Sequence, residues 1–135
     1  MVHVSQHRLP ATQAAPGYAR SLLARDLGES FSAEKLEVAQ LLVSELVTNA
    51  LRHSSRDVIL IDVGFEDHLR VGVTDASPHV PRPRPSTPSD IDGRGLLLVD
   101  SLAQRWGTDP ISGNGKRVWF ELPGDRSPDG RAEQN

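Results

Sequence analysis

Glu45 and Asn49 stand four residues apart in Ser44-Glu-Leu-Val-Thr-Asn-Ala-Leu-Arg-His53, a stretch with helical apolar spacing. On a helix the two lie one above the other on one face. A carboxamide oxygen there can help hold a hard cation such as Mg²⁺, which takes oxygen ligands and keeps several waters. The neighbouring carboxylate can accept a proton from a nucleophilic hydroxyl or water. Polar residues at this spacing more often belong to a solvated face, so their place around the helix matters. At 100° steps Leu36, Ala39, Val43, Leu46, Val47 and Ala50 make the core stripe, and Glu37, Ser44, Thr48 and Ser55 an opposite, wet strip. Glu45 and Asn49 fall in neither. Their flanks include Val38, Leu41 and Leu42, as in a partly apolar pocket wall where a few polar groups set orientation.

Three further patches follow. Asp75 closes an alternating run and is followed by Ala-Ser77-Pro78; an acidic residue at a strand end, then small residues, lets a ligand come close, although a turn or cap role fits it as well. Gly93-Arg94-Gly95 directly precedes a helix-like Leu96–Arg105, so backbone N–H groups at the helix start could meet an anion, most often phosphate. Gly113-Asn-Gly115-Lys116 lies before a strand. None of the glycine patches is a Rossmann or Walker A sequence: the third glycine of the one and the spacing and final Ser or Thr of the other are absent.

The elements that must position these residues read as follows. Residues 3–9 suit a short edge strand. Pro16 opens a helix through Leu27, with Gly28 as its stop. Ser32 is the expected N-cap of the main helix, about 33–53. Residues 57–65 and 69–74 read as strands joined by a hairpin-like turn at 64–68. Five prolines (78, 81, 83, 85 and 88) make 78–92 a connecting loop rather than a helix or strand. A strand at 106–109, a tight turn at 111–115 and a last strand at 116–122 follow; Asn-Gly is a strong hairpin signal. From 124 to 135 the composition is polar, and a disordered tail is expected. Strands dominated by hairpins, with helices between, give an α+β, two-layer sandwich with helices on one face of a mixed, mainly antiparallel sheet.

The totals narrow the function. A chain of 135 residues can bury one sizeable core. Its net charge of −3 and 4% aromatic content disfavour direct binding of nucleic acid. With no cysteine, disulfides and thiolate metal sites are excluded, and the five histidines lack ligand spacing. No apolar run is long enough for a bilayer, and the first residues lack the apolar centre of a secretory signal, so a cytoplasmic protein is expected.

Taken in order, Glu45-x-x-x-Asn49, Asp75, Gly93-Arg94-Gly95 and Gly113-x-Gly115-Lys116 resemble the ATP-binding domain of the GHKL superfamily, which includes gyrase and the histidine kinases. The wording is most similar to its small single-domain branch, the bacterial anti-sigma-factor serine/threonine kinases. The likeness spans about residues 8–123 and implies the Bergerat fold. It implies ATP and Mg²⁺ as ligands, with Asn49 on the metal and Asp75 accepting from the adenine amino group. Gly93 and Gly95 would let backbone approach the phosphates with Arg94 nearby; Lys116 would be a phosphate contact, and His53, Ser77 and Leu96 would stand around the same nucleotide. Residues 78–92 would be the lid. Glu45 would take the proton from an attacking serine or threonine hydroxyl. The partners implied are a sigma factor and a STAS-type anti-sigma-factor antagonist, on a homodimer. Three departures stand out: Ser77 and His79 replace glycines of the full superfamily box, and Arg117 stands where a threonine is common. A non-catalytic, nucleotide-gated partner-binding module is the alternative on the same scaffold, and an unrelated α/β sandwich with accidental motifs is the third.

Overall fold

The computed structural model describes residues 2–53, 58–75, 93–111 and 115–124, with the backbone alone at 53 and 93–96. Strand β1 (His3–Pro10) leads into helix α1 (Ala15–Leu27) and the 21-residue α2 (Ala33–His53). The hairpin β2 (Val58–Phe65) and β3 (His68–Asp75) follows, then α3 (Gly93–Leu102), β4 (Arg105–Pro110) and β5 (Lys116–Pro123). The strands form one sheet in the order β1-β2-β3-β5-β4. All four pairings are antiparallel, so the expected mixture of directions is not used among the described strands.

Alternation divides this sheet into two faces. The inner face carries Leu9, Ile59, Ile61, Val63, Leu69, Val71, Val73, Val118, Phe120 and Leu122, all buried. The helices lie across it, α1 toward β1, α2 over β3 and β5, and α3 toward β4. From the helix side Leu23, Leu27, Leu42, Val43, Leu46, Val47 and Val99 close the same core. Each fully buried leucine, valine or phenylalanine contributes about 1.5–3 kcal/mol relative to exposure. This core is what holds α2, and hence Glu45 and Asn49, at a fixed height above β3.

Local signals explain the element ends. Ser32 caps α2 as its sequence suggests, accepting from the Lys35 N–H at 3.1 Å. The β4–β5 turn closes with the Ile111 N–H on the Gly115 carbonyl at 3.2 Å, and Gly115 has φ 80°, which glycine tolerates best. Residues 112–114 of that turn, and the expected tail beyond 124, lie outside the described residues.

Several boundaries differ from the sequence reading. Helix α3 starts at Gly93 and stops at Leu102, so the glycines form its first turn rather than precede it. Arg105 belongs to β4, where it pairs with Glu121. The run Leu96–Arg105 has no internal breaker, so its helical end was not marked; the antiparallel pairing of β4 fixes it instead. In β3 the outward residues Gly72 and Thr74 are buried as well as the inward ones. The outer face is therefore not plain solvent. Arg117 spans Gly72 to reach Asp62, with bonds of 3.0 and 2.6 Å. Trp119 lies between Arg70 and Arg105, whose guanidiniums sit 4.5 and 5.8 Å from its ring centre. Arg70 also bonds Glu121. Arg117, the departure from the common threonine, is turned away from the helices and held in an ion-paired layer.

Candidate functional site

Asn49 sits one turn after Glu45 on α2, with Leu46, Val47 and Ala50 anchoring the helix to the sheet. The side chain of Asn49 is 6% exposed, and its Oδ1 is buried with no hydrogen-bond partner. Glu45 is half-buried. Asp75 ends β3, is also 6% exposed, and buries Oδ1 without a partner. A buried acceptor left unpaired costs about 1–3 kcal/mol, so two in one region ask for an explanation. A donor or cation bound at either oxygen would supply it.

The sheet register adds a third member. Asp75 pairs with Ile59 on one side and with Lys116 on the other. Directly opposed residues in an antiparallel pair share a face. Lys116 therefore stands beside Asp75 on the helix side, whereas Arg117 faces away. The first turn of α3, Gly93-Arg94-Gly95, offers backbone N–H groups with no carbonyl partner inside the helix, and α3 packs on α2. No carboxylate follows in that first turn to compete with an anion.

Packing of α2 on β3 puts the elements that carry Asn49 and Asp75 in contact, strand pairing sets Lys116 beside Asp75, and α3 packs on α2. Only the backbone is described for His53, Gly93, Arg94, Gly95 and Leu96, and Ser77 and the 78–92 loop lie outside the described residues. Among the described residues no three His, Cys, Asp or Glu side chains gather into a metal cluster. The Asn49 Oδ1 could help hold a hard cation such as Mg²⁺, which takes oxygen ligands and keeps several waters. The buried carboxylate oxygen of Asp75 fits an exocyclic amino group in the same way.

The helix wheel misplaced one neighbour of this site. Ser44, expected on the wet strip, is only 9% exposed. Helix α1 covers that side of α2, and Arg20 donates to the Ser44 Oγ at 2.8 Å while the Gln40 amide donates to the Arg20 carbonyl at 2.9 Å. A contact between residues 20 and 44 leaves no trace in local spacing. Leu41, expected at a pocket wall, is 40% exposed, whereas Leu42 belongs to the core.

Away from this site, Asp26 of α1 joins α1 to β1, accepting from the Ser5 hydroxyl at 2.8 Å and meeting the His7 Nε2 at 3.1 Å. Burial pushes the Asp26 carboxyl up, but the Ser5 and His7 hydrogen bonds and the charges of His7 and His3 outweigh it and hold it below its usual range. No helix among the described residues is long and apolar enough to cross a membrane.

Comparison with known proteins bears on the family and the fold. Residues 9–122 match the model of the histidine kinase-like ATPase domain. An uncharacterised protein of Streptomyces coelicolor, SCO4941, is 38% identical over 72 residues, which cover half of this chain and 69% of that protein. Among solved structures, the RsbU and RsbW domains of Rv1364c from Mycobacterium tuberculosis superpose with a TM-score of 0.69 at 18% identity. That match takes in 98% of this chain, which spans about a third (35%) of the other polypeptide. The histidine kinase domain of a blue-light activated kinase from Erythrobacter litoralis EL346 gives a TM-score of 0.45 at 23% identity, over 85% of this chain and 61% of that one.

Proposed function

The chain belongs to the histidine kinase-like ATPase domain family, and from that premise we infer that it is an ATP-dependent protein serine/threonine kinase of the anti-sigma-factor kind. The observation that carries this reading is the pair of buried, partnerless acceptors, Asn49 Oδ1 and Asp75 Oδ1, on the helix and strand that face each other across the inner side of the sheet. In this reading residues 8–123 form one ATP-binding domain. Asp75 accepts from the adenine amino group, Asn49 holds Mg²⁺, and the α3 first turn with Gly93, Arg94 and Gly95 receives phosphate. His53, Ser77 and Leu96 line the same nucleotide. When bound, the metal neutralises charge on the phosphates; positioning and charge neutralisation make up most of phosphoryl transfer.

Glu45 supplies the remaining chemistry. Its half-buried carboxylate stands one helical turn from Asn49. It takes the proton of a serine or threonine hydroxyl as that oxygen bonds to the γ-phosphorus, while the bond to the bridging oxygen breaks and ADP leaves. The acceptor would be a STAS-type anti-sigma-factor antagonist, and a homodimer of the unmodified protein would sequester a sigma factor in the cytoplasm. The overall likeness to a polypeptide bearing an RsbW domain is in keeping with that setting.

The test is transfer of labelled γ-phosphate to a candidate antagonist, followed by phosphoamino-acid analysis. Phosphoserine or phosphothreonine is expected, and Glu45→Gln should slow its formation roughly 10²–10⁴-fold with ATP affinity retained. If ATP binds and gates partner binding but no antagonist is labelled, and Glu45→Gln regulates as wild type does, the protein is a nucleotide-gated binding module instead.

A further inference from the structure

We propose that Lys116 reads the purine base rather than the phosphates, forming with Asp75 a donor–acceptor pair for adjacent positions on adenine. The inference rests on the nucleotide reading above and refines it. Lys116 and Asp75 are direct cross-strand partners at the end of β3 and the start of β5. Such partners hold their Cβ atoms about 4.5–5.5 Å apart on one face. The direction of Lys116 is fixed independently by its neighbour: Arg117 points to the outer face, where it bonds Asp62 and approaches Asp109 at 3.7 Å. Successive strand residues point to opposite faces, so Lys116 points to the helix side.

This placement ties Lys116 to whatever Asp75 binds. The phosphate donors come from another element, the first turn of α3. Lys116 is half-buried, and the buried Oδ1 of Asp75 has no partner, so the two do not satisfy each other through that atom. An adenine amino group is a donor flanked by ring-nitrogen acceptors. A carboxylate accepting from the amino group and an ammonium donating to the adjacent ring nitrogen complement that pattern. The ammonium has three donors and no acceptor, so it recognises the ring nitrogen only where that atom is unprotonated and present.

The test is calorimetric titration of wild type and Lys116→Met with adenosine, ADP and ATP, the last two with Mg²⁺. A base contact predicts the same loss for all three ligands, about ten- to hundredfold. The 1-deaza and 7-deaza analogues of ATP provide the second arm. Wild type should disfavour one of them, and Lys116→Met should disfavour neither. A loss that grows with the number of phosphates and vanishes for adenosine makes Lys116 a phosphate ligand and overturns the proposal, as does equal affinity of variant and wild type for every ligand. Wild type that binds none of the three overturns the nucleotide reading itself, a result distinct from either of those.

Discussion

Asn49 and Asp75 each bury an oxygen that the protein itself does not satisfy. Such groups are retained where binding needs them, at a cost to the free protein. Replacing them should therefore separate stability from binding. Asp75→Ala and Asn49→Ala should unfold in urea, without nucleotide, at a free energy no lower than that of wild type, and up to about 1 kcal/mol higher. Both should lose ATP–Mg²⁺ affinity by tenfold or more in calorimetry. A large loss of stability in both variants would mean that these oxygens serve packing rather than a ligand. Arg117 shows the opposite case, a polar residue fully engaged by its own fold. Its guanidinium is raised in pKa chiefly by the hydrogen bond to Asp62, against the opposing effect of burial. It occupies the space that a Cβ on Gly72 would need. Gly72→Ala should cost about 1–3 kcal/mol by overpacking. Because the clash is with Arg117, that cost should shrink in an Arg117→Ala background, a coupling that a double-mutant cycle with urea unfolding would read.

At the scale of elements, the joint between α1 and β1 makes its own prediction. Asp26 binds Ser5 and His7 with a side chain 11% exposed. Its carboxyl is held below its ordinary value of 3.8, so the ionised form is the one the folded state favours. A depressed carboxylate contributes stability that is present above the unfolded pKa and lost as pH falls through the folded one. Asp26→Asn should therefore be less stable than wild type at pH 7, by about 1–3 kcal/mol for a charged hydrogen bond. The difference should narrow only below about pH 3.8, as wild type also protonates. Urea unfolding of both proteins at pH 7 and pH 3 checks it; an equal gap at the two pH values would count against the assignment. This joint also marks what the sequence could not disclose. Element types were legible, because β-branched alternation, Ser32 and the Asn-Gly turn are local signals. The Asp26, Ser44 and Arg117 contacts join residues 19 to 55 positions apart. Only the order of helices over the sheet brings them together. The candidate site divides in the same way. Glu45 and Asn49 were legible as a helical i, i+4 pair, whereas the pairing of Lys116 with Asp75 needed the strand register.

For the whole molecule, the candidate residues are spread over separate elements: α2 carries Asn49, β3 and β5 carry Asp75 and Lys116, and α3 begins at Gly93. A ligand bridging these elements binds the folded state alone, so it must stabilise the whole fold. The added free energy is RT ln(1 + [L]/Kd), about 2.7 kcal/mol at a hundredfold excess over Kd. Wild-type protein titrated with ATP–Mg²⁺ should show its urea midpoint rise along that curve. If Asn49 holds the cation as proposed, removing the metal with EDTA should lower the effect in wild type. Asn49→Ala should respond to ATP weakly and equally with or without Mg²⁺. Asp75→Ala should respond weakly in both conditions, yet retain whatever sensitivity to metal survives at the phosphate end. An Asn49→Ala protein whose ATP response depends on Mg²⁺ as strongly as wild type would place the cation on another residue, even if nucleotide binding itself stood.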